Sequence, residues 1–205
     1  EARGTFLPMT DFGALSDERL LGLLSTEEDR LPLAAVQEIL RRIDRLEPLL
    51  STLLSSNAAW RDQGPAWWAP IHAVRILALS GRPSAFDAVV GAIRRAFAEK
   101  RDWIILESAA HLAAFGPACA ARLEALAGNA AEDDDVRSDT LDALASLALL
   151  GDIPADGVLR LAAAVVRERK ADPPDEMALG WSAAFVLAHW IASGKEKTVL
   201  AALGL

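Results

Sequence analysis

The chain has 205 residues, 52% of them hydrophobic, with six Trp, no Tyr, one Cys and a formal net charge of −8 at pH 7. A single cysteine excludes an internal disulfide and a thiolate metal cage. The acidic balance argues against nucleic-acid binding, which needs a basic surface to neutralise phosphates. Charged residues interrupt every apolar stretch before it could span a membrane. No signal peptide is visible, and a cytoplasmic location is expected.

Residues 1–11 are expected to be loosely held. Ser16 is the expected N-cap of a helix reaching Leu24. Pro32 opens a second helix in LPLAAVQEILRRIDRL, and Glu47 to Ser56 reads as a third. The stretch SSNAAWRDQGPAWW, rich in Ser, Asn and Gly, reads as a loop. Residues 12–58 are therefore expected to form an N-terminal helical cap.

From 66 to 204 the chain repeats itself. IHAVRILALSG, ESAAHLAAFG, DALASLALLG and FVLAHWIASG end at Gly81, Gly116, Gly151 and Gly194. The first three glycines are 35 residues apart; the last interval is 43 because RERKADPPDE is inserted. A glycine just past a helix end can take the left-handed conformation that satisfies the last carbonyls. Pro83, Pro117 and Pro154 follow closely, suited to the first turn of a new helix. Each unit is thus predicted as two antiparallel helices around a tight corner. The first helices are expected over 67–80, 102–115, 135–150 and 175–193, the second over 84–99, 117–128, 155–169 and 195–203.

Seven and four residues before each glycine stand Val74 and Leu77, Ala109 and Leu112, Leu144 and Leu147, Leu187 and Trp190. These share one helical face and are the expected core. Phe86, Val89, Val90, Ile93 and Phe97 form the matching stripe on a second helix. The acidic run from Glu132 to Asp135 reads as a helix start, where carboxylates favour the positive end of the dipole. Cys119, among small residues, reads as a buried apolar group. The fold class is all-α, and residues 1–205 are expected to form a single solenoid of stacked helix pairs.

The unit resembles HEAT-like repeats, most closely the short type named after phycobilisome lyases. The small-Leu pattern before Gly81, Gly116 and Gly151 and the period near 35 carry the resemblance, over about residues 66–204. LPLAAVQEILRRIDRLEPLL and APIHAVRILALSG also resemble segments of bacterial helical-repeat proteins. The resemblance implies an α-α superhelix with a versatile groove. The wider group includes protein-binding scaffolds, bilin lyases, a metal-dependent hydroxylase and DNA-repair glycosylases, and the scaffold is its commonest use. The hydroxylases hold iron with paired His-Glu dipeptides. Here Leu106 precedes Glu107 and no His-Glu pair exists, so that activity is not carried over.

Thirteen residues before each glycine stand Trp68, Trp103, Ser138 and Trp181; nine before stand His72, Glu107, Asp142 and Phe185. The two positions are four apart and share a face. Three readings stay open. The tryptophans wedge between repeats, or they line a groove that binds a peptide or protein partner, or His72, Glu107, Asp142 and His111 hold a metal or small ligand in an enzyme. A non-enzymatic interaction scaffold without a cofactor is the leading expectation. Arg94, Arg95, Arg122 and Arg160 lie on second helices, which line the concave side in HEAT-like stacks. They offer a basic stripe for nucleic acid, although neighbouring glutamates favour a salt-bridged face. Leu203 and Leu205 suggest an apolar end that could pair two copies.

Overall fold

The computed structural model describes residues 11–61, 64–169 and 178–204. Among them every regular element is helical and no strand occurs. The expected loose segment 1–11 falls, but for Asp11, outside the described residues, as do 170–176 of the insert, Met177 and Leu205. The chain divides into two compact units, Glu1–Ile76 and Leu77–Leu205.

The first unit holds α1 (Asp17–Gly22), α2 (Leu33–Arg41), α3 (Ile43–Ser55), α4 (Asn57–Arg61) and most of α5 (Trp68–Leu79). Ser16 caps α1: its hydroxyl accepts from the Arg19 N–H at 3.3 Å. Leu20, Leu24, Ile39, Leu46 and Leu50 are fully buried and form the core.

The expected continuous helix from Pro32 is broken at Arg42, whose backbone sits at φ −100° and ψ 13°. The buried Arg42 guanidinium donates to the carbonyls of Leu15 at 2.7 Å and Gly13 at 2.9 Å. It also pairs with Asp17 at 2.8 Å and with Glu38. One side chain thus satisfies the carbonyls of the turn that leads into α1, and a helix restarts behind it as α3.

The expected loop at residues 55–68 instead carries α4 and a 3-10 turn, Pro65–Trp67. Trp60 is the reason. Its ring is 1% exposed and its indole N–H donates to the Leu54 carbonyl at 2.8 Å. Burying a Trp with its N–H satisfied is a strong local anchor.

The second unit holds α6 (Phe86–Glu99), α7 (Asp102–Ile105), α8 (Ser108–Ala113), α9 (Ala120–Ala127), α10 (Asp134–Leu150), α11 (Ala155–Glu168), α12 (Ala178–Ala192) and α13 (Glu196–Leu203). The four glycines expected to end helices all have positive φ, from 62° at Gly81 to 84° at Gly151. At α10 the Asp152 N–H reaches back to the Leu147 carbonyl at 2.9 Å, and at α12 the Lys195 N–H reaches Trp190 at 3.0 Å. Both bonds close the helix end by the geometry that a left-handed residue permits.

Val74, Leu77, Leu112, Leu144, Leu147, Leu187 and Trp190 are buried as expected. Ala109 and Phe97 are half-buried. Asp133 caps α10, accepting from Asp135 at 2.9 Å and Val136 at 3.4 Å. Cys119 is fully buried, and burial pushes its thiol pKa up.

The helix expected over 102–115 is two helices, with the break at Leu106 and Glu107. The Ser108 hydroxyl turns back onto the Ile105 carbonyl at 2.6 Å, the kind of local side-chain bond that competes with a helix.

α10 packs against α8 and α12, and α11 against α12 and α13. Arg137 on α10 is fully buried and fastens this centre. Its Nε donates to the Ala127 carbonyl at 3.0 Å, and its two terminal nitrogens each reach a Glu168 oxygen at 2.8 Å. A planar guanidinium matches a carboxylate in this two-bond geometry.

Candidate interaction face

The residues singled out by the sequence fall into both units. In the first, Trp68 is half-buried and stacks on His72, with ring centroids 6.1 Å apart. His72 is 3% exposed, and its Nε2–H donates to the Glu28 carbonyl at 2.5 Å. Burial lowers the pKa of its imidazole, opposed by that bond. His72 therefore ties α5 to the Glu28 turn as a neutral core group.

In the second unit, α10 lies in contact with both α8 and α12, and three solvent-facing stripes run beside one another. The α7–α8 stripe presents Trp103, 44% exposed, and Leu106, 80% exposed. The α12 stripe presents Trp181, 55% exposed, and Phe185, 70% exposed, with their rings 6.4 Å apart. Four-residue spacing puts that pair one turn apart on one face. The α10 stripe between them is polar and carries Asp135, Ser138, Asp139, Asp142 and Ser146.

Two hydroxyl contacts hold the three stripes in register. Ser108 of α8 meets the Asp139 carboxylate of α10. Ser138 of α10 meets Ser182 of α12 at 2.5 Å. Ser138 is the position where the Trp column changes residue type. A small hydroxyl there lets α10 and α12 approach and exchange a hydrogen bond.

The carboxylates on α10 are harder to ionise than usual. Burial pushes Asp139 up to about 6, reinforced by Asp142 and Asp135 and opposed by Ser108. Burial also raises Asp142, although its surface is exposed: the packed helices beside it displace part of its hydration. Asp135 is raised by burial and by Asp133 and Asp134. Glu107 at the end of α7 lies 3.5 Å from the buried His111.

Asp139 and Ser108 were not singled out from the sequence. The available signal was the spacing of Asp135, Asp139 and Asp142, which repeats every turn along one face of the helix.

Among the described residues no group of three or more His, Cys, Asp or Glu side chains is placed to hold a metal ion. Three of the four arginines of the expected basic stripe are paired with carboxylates. Arg94 pairs with Glu132 at 2.5 Å and Arg95 with Glu99 at 2.7 Å. Arg122 pairs with Asp87 and lies 4.3 Å over the Phe86 ring. Arg160 lines an open groove of about 430 Å³ between α11 and α13, with Asp156, Lys197 and Thr198. No helix among the described residues is long and apolar enough to cross a membrane.

No protein-family model, curated protein or solved structure matches the chain. The inference to function therefore rests on the geometry of this face.

Proposed function

We propose that the chain is a non-enzymatic protein-interaction scaffold, a HEAT-like α-solenoid that binds a protein or peptide partner on the face built by α7–α8, α10 and α12. Three features support the superhelical reading: the 35-residue spacing of Gly81, Gly116 and Gly151, their left-handed backbones, and the contact of α10 with both α8 and α12.

The observation that carries the functional reading is α12. Its fifteen residues, ALGWSAAFVLAHWIA, include no Asp, Glu, Lys or Arg. A helix apolar on every side is normally buried on every side. Yet Trp181 and Phe185 face solvent at 55% and 70% exposure. Exposed aromatic groups clustered beside polar ones are the usual anchors of a protein interface.

The test is quantitative affinity capture from a lysate, comparing wild type with a Trp103→Ala, Trp181→Ala variant whose helicity and melting are unchanged. A partner held by the wild type and lost by the folded variant supports the reading. Equal capture by both, or no specific capture by either, removes it.

A further inference from the structure

The groove between α11 and α13 carries a polarity that the α12 face does not use. α11 lays Asp156, Leu159 and Arg160 along it, and α13 lays Lys197, Thr198, Ala201 and Ala202. Spacings of three and four residues put each set on one side of its helix. Arg167, two turns after Arg160 on the same side of α11, donates to the Leu203 carbonyl at 3.4 Å and ties the two helices together. Leu159 is fully buried and gives the groove an apolar floor. Ala201 and Ala202 have only methyl groups, and this leaves about 430 Å³ open.

Its lining is cationic in a chain of net charge −8. Arg160 and Lys197 are exposed, come from different helices, and form no ion pair with a carboxylate among the described residues. Arg94, Arg95 and Arg122 are each paired. Asp156 is the one carboxylate of the lining, and it stands one turn before Arg160 without pairing with it.

We propose that this groove is a second interaction site, separate from the α12 face, and that its occupant is an acidic amphipathic segment of a protein partner. A Glu or Asp of that segment lies between Arg160 and Lys197, and an aliphatic side chain beside it seats on Ala201 and Ala202 over Leu159. Three arguments select it. Two cations against one carboxylate complement a negative group, and complementary charge fixes the register of a complex. A groove open along two helices suits a chain segment laid into it better than a small molecule, which a pocket must enclose. A nucleic acid presents a row of phosphates and needs a matching row of cations, and the arginines that would extend the row over α6 and α9 already hold carboxylates.

The experiment uses the full chain and a fluorescein-labelled Leu–Glu amphipathic peptide of about three helical turns, longer than the roughly 12 Å of α13. Its controls are the same peptide with Gln for Glu and a labelled single-stranded oligonucleotide. Binding is read by fluorescence anisotropy at low and high salt, and self-association by sedimentation. The expected result is that the Leu–Glu peptide binds and the Leu–Gln peptide and the oligonucleotide do not. Arg160→Glu with Lys197→Glu, both at exposed positions, lowers affinity at least about tenfold with melting unchanged. Asp156→Asn removes a repulsion and raises affinity about two- to fivefold, a gain that damage to the fold cannot produce. Ala201→Leu keeps the charge, suits a helix and fills the groove, and lowers affinity about tenfold. Arg94→Gln and Trp181→Ala leave binding unchanged.

A Leu–Glu peptide that does not bind, or that binds the Arg160→Glu, Lys197→Glu variant as tightly as wild type, overturns the proposal. An oligonucleotide bound more tightly than the peptide, and released by that variant, overturns it in favour of a phosphate ligand. A dimer of the free chain that the variant dissolves overturns it in favour of a second copy. Loss of the peptide from Trp181→Ala places it on the α12 face instead. The groove variants leave Trp103 and Trp181 in place, so failure here leaves the α12 face to its own test.

Discussion

Replacing Asp139 with Asn should stabilise the second unit at neutral pH, and the size of the effect follows from the place of the carboxyl. Asp139 is half-buried on α10 beside Ser108 and carries a pKa of about 6 against an ordinary value of 3.8, chiefly through burial, with Asp142 and Asp135 adding to it. The Ser108 hydroxyl lies 2.6 Å from the Ile105 carbonyl and also meets the Asp139 carboxylate, and that second bond opposes the rise. On balance folding raises the pKa, and the folded state binds more protons than the unfolded one between about pH 4 and pH 6. Stability falls as the pH rises through that window and is level above it. A shift of roughly two units corresponds to about 3 kcal/mol lost by pH 7. An amide cannot ionise, and its N–H can donate to the Ser108 oxygen. Asp139→Asn should thus be more stable than wild type by about 2–3 kcal/mol at pH 7 and nearly equal to it near pH 4. Hydrogen exchange of the buried α10 amides, measured from pH 4 to pH 7, reports this unit directly. A variant less stable than wild type at pH 7, or a difference that does not change with pH, would refute the reasoning.

Two further outcomes test the framework around the face. Glu168→Ala leaves the fully buried Arg137 without its two 2.8 Å bonds, while Asp134 stays 3.5 Å away. It should cost about 3 kcal/mol, the low end for breaking a buried pair, read as a shift in urea midpoint at pH 7. Gly151→Ala meets no atom within 4 Å but must adopt φ +84°. It should cost about 1–2 kcal/mol from backbone strain alone, with Trp181 exposure and any partner binding unchanged; a neutral result would mean that the helix end relaxes.

The helix ends and the core were legible because they depend on local chemistry. A left-handed helix end needs glycine, and a core-facing stripe needs apolar residues every three to four positions. What was hidden depends on groups distant in sequence. The break at Arg42 requires carbonyls of residues 13 and 15. The meeting of α8 and α10 at Ser108 requires Asp139, 31 residues on. His72, singled out beside Trp68 as a candidate binding residue, is buried because Glu28, 44 residues earlier, offers it a carbonyl. Arg137 has the composition of a surface residue, and only the bidentate Glu168 lets it be buried. The same limit applied to the tryptophans. Their spacing marked a shared helical face, but which side of that face would be covered depends on packing that spacing does not encode.

How charge is compensated separates the two sides of the second unit more sharply than how much charge each carries. Three arginines of the second helices stand beside a carboxylate: Arg95 beside Glu99 on the same helix, Arg94 beside Glu132 ahead of α10, and Arg122 beside Asp87. Surface pairs of this kind contribute little to stability, yet each reduces the field that its arginine offers a phosphate backbone. On the first helices the carboxylates of α10 have been brought together with no cation on the same face. Burial, with the neighbouring aspartates adding to it at Asp139 and Asp135, raises their pKa values and lowers the stability of the unit above pH 6. Replacing the exposed Asp142 with Lys should therefore lower the pKa of Asp139, and a titration that this substitution leaves unmoved would refute the electrostatic account.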